Sequence, residues 1–379
     1  MAINFIFFTS FLLIFSLNGR LLSYWYLKDK KLKYDLFEIN NLIVSLFAFG
    51  IFALILNFFL PLNSIYIKIL MFVTTTIALF KFRDNIFLSL KKNILLIFFL
   101  SLICFYMKAG YDAALYHLPH QSFIREYKII FGLVNLHERF ALTSLYGHIA
   151  SLFWFKNNLI LLTFLQGIFY FLLVKDIYSR IVSNDILAQI TGMSTIIFTP
   201  VWLRYIQPSF GLVDLPAGIL FYLSFVKGID VLILKKNIKE DTKIFLISSA
   251  LLFAFKPSYL LFSVYVFYIL FFSIKLKLIN INNLISYIYL PIILIFAWLT
   301  KSFINSGCLI FPLELTCFDT SWTNMLLVHR TFNEITEYGK IYSSYLTIEN
   351  LRYYLSIFNF TAISFFISTI FIIGYLLIK

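Results

Sequence analysis

Long apolar runs of about 17 to 25 residues recur along the whole chain, and short lysine-rich stretches separate them. Runs of this length cross a bilayer as helices, whereas the strands of an outer-membrane barrel would alternate apolar and polar residues. Windows of about 19 residues predict eleven spans. Their approximate ranges are 3–27, 41–60, 63–80, 94–108, 158–174, 186–203, 213–230, 244–256, 257–273, 284–300 and 356–378. The pattern predicts an all-α integral membrane protein.

Composition agrees with this interpretation. The 379 residues are 61% hydrophobic and only 13% charged, with a mean hydropathy of +0.89, whereas a soluble chain carries about a quarter charged residues. A cytosolic enzyme, a secreted domain and a DNA-binding protein are therefore excluded. The net charge of +13 reflects orientation in a bilayer and contact with membrane lipids, and no nucleic-acid partner is expected. The first run has no cleavage site and is expected to remain as an anchor with its amino terminus outside.

The distribution of charge decides whether segment 140–155 crosses the membrane. If it does not cross, 17 Lys and Arg fall within 63 loop residues on one side, and 10 fall within 114 on the other. The basic loops are then 28–40, 81–93, 175–185, 227–243 and 275–283. This asymmetry matches the positive-inside rule, so 140–155 is predicted to be a re-entrant or interfacial helix. The long loops 108–157 and 301–355 then face outward and carry all five histidines.

The chain shows no internal repeat and no linker that would separate a soluble domain. It is interpreted as one membrane unit with N-terminal helices at 1–93 and a core at 94–379. Loops longer than about 15 residues usually carry function. Candidate chemistry is therefore expected in the two outward loops.

Two aspartates lie at the outward ends of predicted spans. Asp112 follows the fourth span, where a carboxylate is costly unless it is paired or used. It is interpreted either as an interfacial residue solvated by headgroups and water, or as a general base or substrate-orienting carboxylate. Asp214 opens the seventh span in QPSFGLVDLPAG, as a helix cap, as a second carboxylate of the same cavity, or as both. One carboxylate would take a proton while the other holds a hydroxyl group or a metal.

Cations accompany these acids on the outward side. Lys256 interrupts the apolar stretch ALLFAFKPSYLLF, and Arg125 and Arg139 lie in the first outward loop. As a set they can neutralise a phosphate group, while snorkelling to the interface is the plain alternative for each one. Tyr116 and His117 in the same loop complete the predicted substrate-binding residues.

Other signals are weaker. His117 and His120 have an i, i+3 spacing, but Pro119 separates them and no acidic residue accompanies them, so no metal ligands are assigned. Cys308 and Cys317 share the second outward loop, either as a disulfide or as two thiols. The sequence contains no Walker loop, no G-x-S-x-G and no G-x-G-x-x-G, and therefore gives no support to ATP-driven transport or serine hydrolysis.

These residues together resemble a known family. An acidic residue just after a span, an interfacial helix, a second aspartate in V-D-L-P-A and a later K-P are similar to the GT-C superfamily of membrane glycosyltransferases. The segments YDAALYHLPHQSFIREYKIIFGLVNLHERF and SGCLIFPLELTCFDTSW look like a poorly characterised group of bacterial envelope proteins associated with surface polysaccharide. The resemblance covers roughly residues 94–325.

The resemblance implies a polyprenyl-phosphate-linked sugar as donor and a glycan or lipid as acceptor, at the outward, periplasmic face of the bacterial plasma membrane. Asp112 would activate the acceptor hydroxyl, Asp214 would be the second acidic residue, and Lys256 would lie near the donor phosphate. Many members carry two adjacent acidic residues at the first site, whereas Ala113 and Ala114 follow Asp112 here. A divalent metal cofactor, Mg²⁺ or Mn²⁺, is accordingly left open.

The alternatives are a polysaccharide polymerase of the O-antigen type and a lipid-linked sugar flippase or transporter. Outward arginines fit pyrophosphate-linked substrates equally well, which keeps the polymerase open. A carrier usually binds its substrate near the midplane, whereas the polar residues here lie towards one face. A structural or assembly protein is the remaining class.

Overall fold

The computed structural model describes residues 2–27, 35–110, 112–142, 144–154, 158–205, 209–235 and 237–344. These residues form twelve α-helices and two short strands. In chain order they are α1 (Ala2–Tyr26), α2 (Ile39–Asn57), α3 (Ile65–Tyr106), β1 (Lys108–Ala109), α4 (Leu118–Glu126), α5 (Leu145–Leu152), α6 (Ile160–Ile181), α7 (Ile186–Tyr205), β2 (Ser209–Phe210), α8 (Asp214–Ile229), α9 (Ile238–Phe255), α10 (Phe262–Lys275), α11 (Ile281–Ser306) and α12 (Met325–Ser344). The predicted all-α class is confirmed.

Seven helical segments of the described chain are long and apolar enough to cross a membrane, which indicates a multi-pass membrane protein. They are Ile3–Tyr26, Ile39–Asn57, Ile65–Tyr106, Ile160–Ile181, Asp214–Leu234, Pro257–Lys275 and Ile281–Ser306. Two further predicted spans, 186–203 and 244–256, coincide with α7 and α9. The predicted span 356–378 lies outside the described residues. The count of eleven stays a prediction.

Helix α3 contains two of the predicted spans, 63–80 and 94–108, in one run of 42 residues. Three contacts with α1 define its path: Asn18 with Thr75 (2.8 Å), Tyr24 with Phe82 (ring centroids 6.4 Å) and Phe5 with Phe98 (6.0 Å). From the first contact to the second, the residue number rises in both helices, so the two helices run in the same direction there. The third contact lies later in α3 but near the beginning of α1. A straight helix of this length, about 60 Å, could not make all three contacts. We infer that α3 reverses its direction between Phe82 and Phe98.

The reversal lies in segment 81–93, which the sequence predicts as a loop. Two hydrogen bonds hold it against the chain before α2: Leu36 N donates to Ser89 Oγ (2.8 Å), and Asn93 Nδ2 donates to Asp35 Oδ2 (3.0 Å). The backbone stays helical here because the charged side chains that interrupt the apolar run are good helix formers. The boundary at residue 93 between the two predicted regions therefore falls inside α3.

Helix α5 occupies the segment predicted to be re-entrant or interfacial. It begins after Ser144, whose Oγ accepts a hydrogen bond from Tyr146 N (3.1 Å). Its eight residues span about 12 Å, too short to cross a bilayer. Leu145 through Ser151 are all buried, and α5 packs against α2, α4 and α9. The segment is therefore an internal short helix and not one lying on the surface.

Many aromatic rings pack against one another in the core between α1, α2, α6 and α9. Phe8, Phe47, Phe164 and Phe169 are completely buried. Phe8 packs on Phe164 at 5.6 Å between centroids, and Phe169 packs edge-to-face on Phe255 at 6.0 Å. Such pairs contribute about 0.5 to 1.5 kcal/mol beyond the area they bury. This core supports the loops at the end of the bundle where the predicted carboxylates lie.

Helix α11 extends further than predicted. It continues through Ser306 and ends at Gly307, whose φ of 78° is a left-handed conformation typical of helix ends. The predicted outward loop 301–355 therefore begins six residues later, and Lys301 belongs to the helix. Within that loop, α12 forms an additional helix that the hydropathy pattern did not indicate.

Candidate functional site

A parallel pairing of two-residue strands joins the loops that carry the predicted carboxylates. β1 lies beside β2, and Gly110 N donates a hydrogen bond to the β2 backbone (3.3 Å). Gly211 has a φ of 86°, and a Cβ added there would lie 2.7 Å from Ala113 Cβ. Glycine is the residue that combines this conformation with so close an approach. The pairing sets the loop of Asp112 beside the loop of Asp214.

Asp112 and Tyr116 form one side of the site. The Asp112 side chain is exposed, so its carboxylate can accept a proton or a hydrogen bond from a bound molecule. Tyr116 is partly buried, and burial together with the nearby Asp112 raises the pKa of Tyr116 to about 12. The phenol therefore stays protonated at neutral pH and can donate a hydrogen bond.

Asp214 and Lys256 form an ion pair between Asp214 Oδ1 and Lys256 Nζ. Their side chains are 50% and 39% exposed, so the pair remains open to solvent and to ligands. Lys256 follows the last residue of α9 in an extended conformation, because Pro257 disfavours helical geometry at the residue before it. The structure thus brings together two of the residues that the sequence singled out.

His117 lies among these charges. Its ring centroid is 4.3 Å from that of Tyr116. Burial lowers the pKa of His117, with Lys256 acting in the same direction and the two aspartates acting against it. The imidazole is therefore neutral at pH 7 and offers one donor and one acceptor nitrogen.

The two predicted arginines are placed differently. The Arg139 guanidinium lies 5.9 Å from the centre of the Tyr116 ring, which puts it at the edge of the site. Arg125 lies at the other end of α4, 5.0 Å from the centre of the Trp154 ring and 3.9 Å from Glu126. The structure groups Arg139 with the carboxylates and leaves Arg125 about 12 Å along the helix from His117.

The last turn of α11 and the loop that follows it brace the segment before Arg139. A disulfide joins Cys308 to Cys317 and closes this loop. Asn135 Nδ2 donates to the Trp322 carbonyl (3.0 Å), and Gly132 N donates to Ile304 O (3.0 Å). Both contacts lie a few residues before Arg139 in the chain. The question of a disulfide or two thiols, open from the sequence, is resolved as a disulfide.

A buried polar cluster beside the site was not predicted. Lys301 is 1% exposed, and the charge of its ammonium group acts on His120 and His148, which are 7% and 1% exposed. Hydropathy predicts that this span ends at residue 300, and the sequence analysis therefore assigns Lys301 to the following loop, whereas α11 continues to Ser306. The spacing Trp298, Lys301 and Asn305 along one helical face was the available signal.

A larger polar cavity of about 500 Å³ lies at the opposite end of α8. Arg180 donates to both Asp230 carboxylate oxygens (3.0 and 2.9 Å) and to Asp176 (2.7 Å) at its wall. Lys227 donates to Asp241 (3.1 Å) nearby. The sequence places Asp176, Arg180 and Asp241 in predicted basic loops, so this network was not anticipated; α6 continues to Ile181 and carries Asp176 and Arg180 within the helix.

A divalent metal fits the site poorly as far as protein ligands are concerned. In the described ranges, no three His, Cys, Asp or Glu side chains converge as a metal site would require. Asp214 is already engaged by Lys256. No protein ligands for a divalent metal are therefore assigned among the described residues.

The sequence matches the family model described as Domain of unknown function (DUF8201) over residues 1–378, and the chain belongs to this family. Neither a curated protein nor a solved structure matches it.

Proposed function

We propose that this DUF8201 protein is a glycosyltransferase of the GT-C type, which moves a sugar from a polyprenyl-phosphate donor to a glycan or lipid acceptor in cell-envelope polysaccharide synthesis. The observation that carries the proposal is the grouping of Asp112, Asp214, His117 and Lys256 at one end of a membrane helix bundle. These residues come from three separate parts of the chain. The β1–β2 pairing joins the loops of Asp112 and Asp214, and the ion pair with Asp214 adds Lys256. If Asp214 were only a helix cap, Lys256 only a snorkelling side chain and Asp112 only an interfacial residue, there would be no reason for the three to lie together.

The residues can divide the chemistry of such a transfer. The exposed Asp112 carboxylate takes the proton of the acceptor hydroxyl as that oxygen bonds to the anomeric carbon of the sugar. The bond from the anomeric carbon to the phosphate oxygen breaks, and its electron pair leaves with the polyprenyl phosphate. Lys256 and Arg139 stabilise the departing phosphate, while Asp214 holds Lys256 in place. Neutral His117 and protonated Tyr116 can hydrogen-bond sugar hydroxyls.

The proposal includes an orientation, with the site on the periplasmic side of the plasma membrane and eleven spans in total. Three features support it. The end of the molecule that bears the site carries the disulfide, and disulfides persist in oxidising compartments. Lys92, Arg180 and Lys227, from three of the predicted basic loops, line the cavity at the other end, as the positive-inside rule requires. The reversal of α3 makes room for two spans in one continuous helix.

The test is release of polyprenyl phosphate by the purified full-length protein, given a panel of polyprenyl-phosphate sugars with candidate acceptors. We expect Asp112→Asn to lose activity by at least about 100-fold, the lower end for loss of a general base. Asp84→Asn removes a carboxylate that is 94% exposed on α3 and should leave activity unchanged. Full activity of Asp112→Asn would remove Asp112 from the mechanism.

The same assay separates the related activities. Turnover of pyrophosphate-linked repeat units alone would identify a polymerase. A chelator such as EDTA, added to the active protein, tests the open question of Mg²⁺ or Mn²⁺. If EDTA abolishes polyprenyl phosphate release and either ion restores it, the reaction uses a metal ion, which substrate phosphates and water would help to coordinate.

A lipid-linked sugar flippase is the second candidate, and the cavity of about 500 Å³ at the opposite end of α8 favours it. A carrier needs a polar site reachable from each side, and two polar regions at the two ends of the same helix fit that requirement. In proteoliposomes, a flippase would move a fluorescent lipid-linked sugar without releasing polyprenyl phosphate. It would also keep its transport activity in Asp112→Asn, a variant in which a transferase would lose activity.

A further inference from the structure

A small cavity between α4 and α11 has a lining that is cationic and lacks acid. Lys301 and Lys128 line it, together with His120, Asn305 and the side chain of Asn57. The remaining lining residues are apolar, and none is acidic. The Asn57 amide nitrogen already donates to three backbone carbonyls, so this residue adds no free donor.

The polar atoms at this cavity lack partners inside the protein. Lys301 Nζ, His120 Nε2 and Asn305 Oδ1 are buried and make no hydrogen bond of ordinary geometry within the described part of the chain. Behind Lys301, neither ring nitrogen of buried His148 makes one either, although the ring lies near the Ser144 backbone. Buried polar groups are almost always hydrogen-bonded, so several orphans in one place indicate a missing partner.

The charge balance indicates which kind of partner is missing. Lys301 Nζ makes no ion pair with a carboxylate among the described residues, and the ionisable groups near it are imidazoles. A lysine buried without a counter-ion either gives up its proton or binds an anion. A water molecule would suffice for the neutral amine, whereas an anion would satisfy both the charge of the ammonium form and the donors around it.

The space decides the size of that anion. The cavity has a volume of about 10 Å³, which is the room of a single water-sized species. A halide ion is somewhat larger than water and needs a small outward movement of the flexible lysine side chains, whereas a phosphate or carboxylate group is far too large. Lys128 is exposed, and it provides a cationic path from the aqueous side to the buried Lys301.

We propose that Lys301, His120 and Asn305, with Lys128 at the mouth, form a binding site for one small monatomic anion, chloride under ordinary conditions. The anion accepts hydrogen bonds from the lysine ammonium group and from the imidazole N–H, and the Asn305 amide turns its NH₂ group inward. It ties α11 to α4, the helix whose first turn follows His117. The proposal does not depend on the proposed transferase function.

The first experiment measures the thermal unfolding of the purified full-length protein in detergent, as sodium gluconate is replaced by sodium chloride or bromide at constant ionic strength. We expect the unfolding midpoint of the wild type to rise with halide and to saturate. Lys301→Met should abolish this rise. Lys68→Met removes an exposed lysine from α3 and should keep it.

The second experiment is a bromide-soaked crystal of the wild type, which gives an answer even if Lys301→Met fails to fold. An anomalous bromide peak within hydrogen-bonding distance of Lys301 Nζ supports the site. A water molecule there without anomalous signal would overturn the proposal. Equal midpoints in gluconate and chloride for the wild type, or an undiminished halide response in Lys301→Met, would also overturn it.

Discussion

The substitution Gly211→Ala tests directly whether the β1–β2 pairing organises the candidate site. Gly211 adopts a φ of 86°, and the new Cβ would stand 2.7 Å from Ala113 Cβ, one residue after Asp112. Two costs follow. A left-handed conformation costs an L-residue about 1 to 2 kcal/mol, and forcing a methyl group into packed space costs about 1 to 3 kcal/mol. We therefore expect the free energy of unfolding to fall by about 2 to 5 kcal/mol.

The loops can escape part of this cost by moving apart. A separation of about 1 Å between the loops of Asp112 and Asp214 would disturb the alignment of base and phosphate, and errors of that size cost about 100-fold in rate. Activity should therefore fall further than stability alone would explain. The measurements are polyprenyl phosphate release and an SDS titration of unfolding in mixed micelles.

Gly147→Ala is the matched control, because it adds the same methyl group to α5. The nearest atoms to its new Cβ, on Gln121 and Ile124, lie at 3.8 Å, an ordinary contact distance. It should leave activity unchanged and stability equal or slightly higher, since alanine favours helices by up to about 1 kcal/mol over glycine. Equal behaviour of Gly211→Ala and Gly147→Ala in both assays would refute the role assigned to the pairing.

Three further outcomes are expected. Arg180→Met removes the guanidinium partner of the buried carboxylates of Asp176 and Asp230 and should lower the free energy of unfolding by about 3 to 5 kcal/mol. Arg330→Met, which breaks an exposed ion pair, should not change that free energy measurably. Equal losses in the two variants would contradict this ranking. Replacing Cys308 and Cys317 by serine removes a short closed loop and should cost about 2 to 3 kcal/mol, visible as a lower unfolding midpoint that dithiothreitol also produces in the wild type alone. Burial lowers the pKa of His148, so the unfolded chain takes up a proton near pH 6.5 that the native chain does not. In chloride-free buffer, stability should fall as pH drops below about 6.5, by up to about 1.4 kcal/mol per pH unit for this residue, and His148→Gln should flatten the slope.

Membrane spans were predictable because the length of an apolar run is a local property of the sequence. Segment 81–93 was not predictable in the same way. Lys81, Arg83, Lys91 and Lys92 interrupt the apolar run, and hydropathy therefore indicates a loop. Hydropathy reports which solvent a segment prefers and says nothing of its backbone hydrogen bonds. Charged residues with straight side chains favour helical geometry, so the segment is helical apart from the bend at which α3 reverses its direction.

The candidate site was likewise predictable only where it depends on local properties of the sequence. The positions of Asp112, Asp214 and Lys256 at the same end of the bundle followed from hydropathy and charge, and the outward orientation of that end stays a prediction. The pairing that joins the two loops did not, because two-residue strands have no periodicity to detect, and about a hundred residues separate them. Lys301 was missed for a third reason. The hydropathy window ends this span at residue 300, so the helical face of Trp298, Lys301 and Asn305 runs past the predicted helix, and the approach of His120 and His148 to Lys301 depends on tertiary packing.

The spacing of charged residues along α8 and α9 bears on the choice between a transferase and a carrier. Asp214 and Lys256 lie at one end of this antiparallel pair, and Asp230 and Asp241 lie at the other, about 24 Å away for a rise of 1.5 Å per residue. This distance is somewhat less than the thickness of the hydrocarbon core, about 30 Å. If α8 crosses the bilayer, the two charged layers lie near its two interfaces, and the proposed transferase site is then at one interface, where a lipid-borne donor and a water-borne acceptor can meet. Between the layers, the buried residues of α8 are apolar apart from Ser224. A sugar moving along α8 from one layer to the other would lose its hydrogen bonds to water without protein partners to replace them, so the packing of this helix favours chemistry at one face over passage between the two.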